Sequence, residues 1–318
     1  MLDNAGGTQS ESIPFGPLNL GGLLSPEVNV HSLTRRVLGE KRIISLDDRR
    51  IVLTRHIVPG ATRRISRRHR ALQSTVPLQR EIPLVGNFTG RPFGWWRAVV
   101  FEDGVLWHDT VAAPQHVQAL ATGLSALHAH EALQGFFLFG AGQCPRRIMR
   151  LARQAVMRSS ALPNADRKMV LDFISRHAES LHPGAGFRLV HGDIHPRNLI
   201  ILSNARICLI DSEGVSPGLP LLEFAHALLN LFEGPRASLR RHFVHHYMTA
   251  QTDEVRQRWR QHGQSLLVFA RLMMAWRRYR RACVLAKRGA RDEARFAARF
   301  HELFLRQACQ HASRIIQP

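Results

Sequence analysis

Residues 189–214 read LVHGDIHPRNLIILSNARICLIDSEG. Leu199–Leu202 and Ile207–Ile210 are short apolar runs rich in β-branched residues. Ser203-Asn204-Ala205-Arg206 between them is turn-forming chemistry, so the stretch predicts a β-hairpin. One polar cluster, His191, Asp193 and Asn198, stands at its entry, and a second, Asp211 and Glu213, at its exit. A hairpin brings entry and exit to one end, so carboxylates and an amide are expected side by side. Hard oxygen donors of this kind suit Mg²⁺, which takes few protein ligands and keeps room for phosphate oxygens.

The order His191-Gly192-Asp193, Asn198 five positions after the Asp, and Ile210-Asp211 beyond the hairpin resembles the phosphotransferase core of the protein-kinase-like fold. With Gly after the His, and Asp211-Ser212-Glu213 at the exit, it is similar to the aminoglycoside phosphotransferase and choline kinase family. The resemblance implies an α+β, two-lobed fold with a small β-rich lobe and a large, mainly helical lobe carrying the hairpin. It implies an ATP- and Mg²⁺-dependent kinase acting on a hydroxyl, with Asp193 taking the hydroxyl proton. Asn198 and Asp211 would hold the metal, Glu213 would add a carboxylate to its shell, and His191 would brace the loop. In the small lobe, Arg55 on the strand Arg50–Ile57 stands where the family has its phosphate-gripping Lys. An Arg is not equivalent to Lys there, and a plain exposed strand Arg is the other reading. Backbone groups of Phe101, Glu102 and Asp103 would meet the adenine edge at the hinge. Two departures stand out: no glycine-rich phosphate loop is visible, and the expected helix Arg63–Ser74 contains no carboxylate.

The charge is uneven. The 318 residues carry a net +20, nearly all of it from Arg. Residues 34–70 hold twelve Lys/Arg against three acids and residues 235–318 eighteen against five, whereas the middle is nearly neutral. Such a field favours anionic partners: nucleotide, a phosphorylated acceptor, or an acidic membrane surface. Nucleic acid is disfavoured, because few aromatics interleave the Arg clusters. Cys144, Cys208, Cys283 and Cys309 form no C-x-x-C pair, which points to a reducing cytoplasm rather than a disulfide framework or zinc site. No Lys or Arg precedes Arg35, which argues against a signal peptide, and Arg271 breaks the longest apolar run.

In chain order, residues 1–28 read as a Gly/Pro/Ser/Asn-rich arm, 29–104 as the small nucleotide lobe and hinge, and 105–318 as the large catalytic and acceptor lobe. Val117, Leu120, Leu124 and Leu127 recur at helical spacing, followed by helices over Pro145–Ser159 and Asp166–Leu181. About sixty residues thus separate the first large-lobe helix from His191, an insertion that resembles small-molecule kinases rather than protein kinases. Leu219–Phe232 is apolar nearly all round, a buried helix, with Glu223 near the place where the family braces its catalytic loop with an Asp. The last eighty residues are helical and basic, with one dense patch, Trp276-Arg277-Arg278-Tyr279-Arg280-Arg281. The acceptor is therefore expected to be a sugar or small polar metabolite. The alternatives are a glycolipid at the inner membrane face, or a binding module on an inactive kinase fold.

Overall fold

The computed structural model describes residues 18–19, 30–36, 39–46, 49–56, 76–78, 81–82, 84–85, 95–131, 144–184, 186–211 and 215–316. The chain divides into two compact units, residues 1–71 with 79–102, and residues 72–78 with 103–318.

Strands of the first unit are β1 (Leu18–Asn19), β2 (Val30–Arg36), β3 (Gly39–Leu46), β4 (Arg49–His56), β5 (Glu81–Ile82), β6 (Leu84–Val85) and β7 (Trp95–Val100). Five of them form an antiparallel sheet in the order β2-β3-β4-β7-β5, and β1 pairs with β6 in parallel. The arm expected over residues 1–28 thus contributes a short strand at Leu18–Asn19; its other residues, and the expected helix Arg63–Ser74, lie outside the described residues. Ile51 and Leu53 are buried while Val52 is not, the period of two that one covered face imposes. Ile44, in register with Ile51, and Ala98, in register with Leu53, complete that core.

The second unit begins with β8 (Val105–Leu106) and α1 (Pro114–Ala129), whose stripe Val117, Leu120, Leu124 and Leu127 is buried as its spacing requires. Next come α2 (Pro145–Met157) and α3 (Asn164–Arg176); the segment expected to be helical to Leu181 changes to a 3₁₀ turn over Ala178–Leu181. β9 (Arg188–Val190), β10 (Leu199–Ile201), β11 (Ile207–Leu209) and β12 (Ser216–Gly218) follow, then α4 (Pro220–Leu231), α5 (Arg240–Thr249), α6 (Asp253–Lys287) and α7 (Arg291–Ile316). β10 and β11 form the expected hairpin, with β8 on the far edge of β10. The turn closes through Arg206 N donating to Asn204 Oδ1 at 3.2 Å, with Ala205 in the left-handed region.

α4 is buried almost all round, as its continuous apolar sequence demands. Phe224 stacks on Tyr247 with ring centroids 4.1 Å apart and meets Trp259 edge-on at 4.9 Å, which locks α4 against α5 and α6. The 35-residue α6 starts at Thr252, whose side chain accepts from Val255 N, and stops at Gly289. Gly289, at φ +77°, places its N–H on Ala286 O and that of Ala290 on Leu285 O, a cap that needs the left-handed region. α7 then packs back along α6. Among the described residues no helix is long and apolar enough to cross a membrane, and all four cysteines are free thiols.

Candidate active site

The site is built on the loop between β9 and β10. Gly192 sits at φ +85°, a conformation that side-chain-bearing residues avoid, and it turns the chain so that consecutive N–H groups point the same way. Both reach Glu223 on α4: His191 N donates to Oε2 at 2.8 Å and Gly192 N to Oε1 at 2.6 Å. Oε2 also accepts from His128 Nε2 at 3.0 Å, and His128 Nδ1 lies 2.6 Å from Tyr247 Oη. A carboxylate only accepts, so His128 carries its hydrogen on Nε2, and in the neutral ring Nδ1 accepts from the Tyr247 hydroxyl. Burial by itself would push the Glu223 carboxyl up; the hydrogen bond from His128 first, and then that from the Gly192 N–H, outweigh it and hold the group below its ordinary value.

His191 is wholly buried, and burial keeps its ring neutral. Its Nε2 donates to Ile210 O at 3.0 Å, which ties the loop to the hairpin's exit, and its buried Nδ1 has no hydrogen-bond partner among the described residues. Asn230 Nδ2 adds a further tie from α4, to Ile194 O at 2.9 Å.

Asp193 stands at the open side of this scaffold, its side chain 49% exposed. Oδ1 lies 3.3 Å from Arg277 Nη1, Oδ2 is 3.4 Å from His195 Nε2, and Asn198 Nδ2 is 3.4 Å from the same oxygen. Arg277 also donates through Nη2 to Gly192 O at 2.7 Å, and so holds the loop from the α6 side. Burial raises the Asp193 carboxyl; the hydrogen bond with His195 and the charge of Arg277 more than reverse this, leaving the group acidic and ionised. Asn198 Nδ2 donates to Asp193 O at 2.9 Å, which leaves Oδ1 as the amide atom able to meet a cation. Ile210 N donates to Asn198 O at 3.0 Å, so the hairpin ladder brings Asn198 next to the turn at Asp211. Asp211 itself adopts φ +61°, unusual for a residue with a side chain and best tolerated by Asp and Asn. Glu213 lies outside the described residues. No group of three or more His, Cys, Asp or Glu that could cage a metal occurs among the described residues.

In the first unit, the side chain of Arg55 lies outside the described residues; its backbone is in register with Glu40 and Trp96. Phe101 N donates to Arg50 O at 2.9 Å, and the Arg50 guanidinium lies 4.2 Å from the Phe101 ring centroid. Glu102 closes the first unit and Asp103 opens the second strand-and-helix run.

The sequence patterns do not single out His128, His195, Asn230 or Tyr247, and they place Arg277 only in the dense basic patch. His128 and Arg277 each continue an apolar stripe at helical spacing, Leu120-Leu124-His128 and Leu266-Ala270-Met273-Arg277. A polar residue on a core stripe was the signal.

His226, one turn beyond Glu223, has a pKa lowered to about 3, chiefly by burial and then by Arg277. Its Nε2 donates to Ala270 O at 3.2 Å. The unfolded chain takes up this proton near pH 6.5 and the folded chain only near 3, so stability falls as pH drops through that window. The slope is about 1.4 kcal/mol per pH unit for one such group. Urea unfolding at a series of pH values is expected to show His226→Gln with a shallower acid loss than wild type. Equal slopes would show that this ring does not stay neutral.

An α+β chain that carries an Asp on a braced loop in front of a short hairpin is built as kinases are. It belongs to the phosphotransferase enzyme family, whose profile matches residues 40–262, well over half of the chain. In fold it is similar to a choline kinase from Cryptosporidium parvum, with 12% identity, a TM-score of 0.63, and 93% of this chain and 95% of that one covered. It is also similar to an ethanolamine kinase from Plasmodium vivax, at 12% identity and a TM-score of 0.59, covering 87% and 81%. A spectinomycin phosphotransferase, solved with ADP and spectinomycin, aligns at 11% identity and a TM-score of 0.60, covering 89% and 94%. No curated protein sequence matches the chain.

Proposed function

We propose that the protein transfers the γ-phosphoryl group of ATP, in the presence of Mg²⁺, to a hydroxyl of a sugar or other small polar molecule in the cytoplasm, and that this acceptor is anionic. The observation that carries this reading is Asp193: an ionised, accessible carboxylate on a loop held by Glu223, Asn230 and Arg277. A hydroxyl set against its oxygens would lose its proton there as the new O–P bond forms. Fixing the backbone on both sides of Asp193 holds the accepting oxygen in place, and positioning of this kind is one main source of rate in phosphoryl transfer. His191 has no role in proton transfer in this scheme, since its ring is buried and committed to Ile210 O.

Asn198 Oδ1 and the Asp211 carboxylate are the hard oxygen donors that would hold Mg²⁺, with Glu213 as a further carboxylate. Bound there, the ion would offset charge on the transferring phosphate. Residues 29–104 would form the nucleotide lobe, with Arg55 toward the phosphates and the backbone of Phe101, Glu102 and Asp103 toward adenine.

The test is coupled ADP release, with and without Mg²⁺, over a panel of alcohols. Asp211→Asn keeps a side chain that tolerates the left-handed backbone while removing the charge. It is expected to weaken Mg·ATP binding by about 10- to 100-fold, and to lower turnover with it. Wild-type turnover in that variant, or wild-type nucleotide turnover indifferent to Mg²⁺, would refute the assignment.

A further inference from the structure

A cavity of about 560 Å³ opens where α2, α4 and α6 face one another. That volume suits a small molecule rather than a peptide. Five guanidiniums line it, those of Arg147, Arg277, Arg280, Arg281 and Arg288, and among the described residues the lining includes no carboxylate. Arg277 is shared with the active site, since its other contact is Asp193 Oδ1 at 3.3 Å. The remaining four have no carboxylate partner among the described residues. The lining also contains apolar side chains, among them Ile148, Leu151, Met273 and Trp276. Along α6 the sequence produces this directly: Met273, Arg277, Arg280, Val284 and Arg288 recur every three or four residues and so share one face. Arg280 lies 6.0 Å from the Trp276 ring centroid, close enough for a cation–π contact that steadies it.

We infer that this cavity is the acceptor subsite, and that its ligand is an alcohol that already bears a phosphate monoester and has an apolar body. Four cations without a carboxylate partner among the described residues exceed what one carboxylate can satisfy, whereas a phosphate dianion offers three oxygens to planar, bidentate donors. The apolar wall would cover the carbon skeleton, and Arg277 would mark the boundary with the reacting end. The acceptor hydroxyl would lose its proton to Asp193. Its oxygen would form a bond to the γ-phosphorus of a nucleoside triphosphate while the bond from that phosphorus to the β,γ-bridging oxygen breaks. A nucleoside diphosphate would leave, and the product would carry two phosphates.

The transfer step rests on the kinase reading; the binding does not, and the experiment keeps them apart. Calorimetry on the full chain would compare n-hexyl phosphate, 1-hexanol and hexyltrimethylammonium, and vesicles of phosphatidic acid against phosphatidylcholine. Wild type is expected to bind hexyl phosphate at least tenfold more tightly than the other two soluble probes. Arg280→Gln with Arg288→Gln, and Arg288→Gln alone, are expected to lose at least tenfold and threefold of that affinity, with an unchanged unfolding midpoint. Binding confined to phosphatidic acid vesicles and weakened in the same variants would identify a lipid as the phosphate's source and still support the site. Affinity indifferent to the probe's charge, unaltered in both variants, or absent for soluble and vesicular phosphate alike would overturn it. Absence of ADP release from Mg·ATP with 6-hydroxyhexyl phosphate, which carries both the phosphate and a free hydroxyl, while hexyl phosphate binding is intact, would refute the kinase reading alone.

Discussion

Replacing Glu223 with alanine is expected to lower stability by about 3–5 kcal/mol and to abolish turnover. The carboxylate is 2% exposed and accepts from His191 N, Gly192 N and His128 Nε2. Removing it leaves three donors without an acceptor, those of the buried His191 and His128 and of the part-buried Gly192, each costing about 1–3 kcal/mol when water cannot reach it. The total is a large part of the roughly 5–15 kcal/mol that holds a typical domain together. Amide hydrogen exchange gives the local readout: protection at His191 and Gly192 should be lost well before that of the α4 core. Glu223→Asp keeps the charge on a side chain one methylene shorter, and should retain part of both stability and exchange protection. Tyr247→Phe removes only the donor to His128 Nδ1 and should cost about 1 kcal/mol. The pH dependence follows from the same contacts. The Glu223 carboxyl is held below its ordinary value, so its contribution is fully present above about pH 4.5 and is lost as the pH falls through the depressed folded value. Unchanged urea unfolding and unchanged amide protection in Glu223→Ala would mean that α4 does not brace the loop.

That dependence also explains what could be read from sequence and what could not. The hairpin is local: two β-branched runs and four turn residues determine it, and its ladder carries Asn198 to Ile210 within twelve positions. The anchoring role of Glu223 was legible through the resemblance, which places a bracing Asp near that position; the structure gives the physical reason, since a lone acid in an otherwise apolar helix must meet donors inside the protein. The resemblance supplied the kind of partner. His128 and Arg277 belong to contacts that join residues 95 and 84 positions apart. Nothing in a local pattern says which of many helical polar residues will reach so far. The Arg-rich patch at 276–281 was legible as charge, but its division was not. Arg277 turns to Asp193 and Gly192, Arg280 and Arg281 line the cavity, and Arg278 lies over the Phe300 ring. Only the pitch of α6 against α2 and α4 makes that partition.

Asparagine in place of Asp193 is expected to leave the fold and nucleotide binding intact and to lower turnover by about 10²–10⁴-fold, the range for losing a general base. The substitution is nearly isosteric, and the backbone contacts around it, Asn198 Nδ2 to Asp193 O and Arg277 Nη2 to Gly192 O, do not involve the changed atoms. What is lost is the capacity to take a proton. The pH profile separates this from a merely positional effect. The hydrogen bond with His195 and the charge of Arg277 outweigh burial and keep the Asp193 carboxyl below its ordinary value, so it is ionised throughout the neutral range. In wild type, therefore, protonation of Asp193 should limit kcat/KM only below about pH 4. Arg277→Gln removes one of the groups that hold the carboxyl down, and should shift that acid limb upward while also weakening the grip on Gly192 O. Steady-state kinetics of both variants, with differential scanning fluorimetry to confirm folding and nucleotide binding, would decide the matter. Full turnover in Asp193→Asn, or an acid limb in Arg277→Gln that stays where wild type has it, would remove Asp193 as the base.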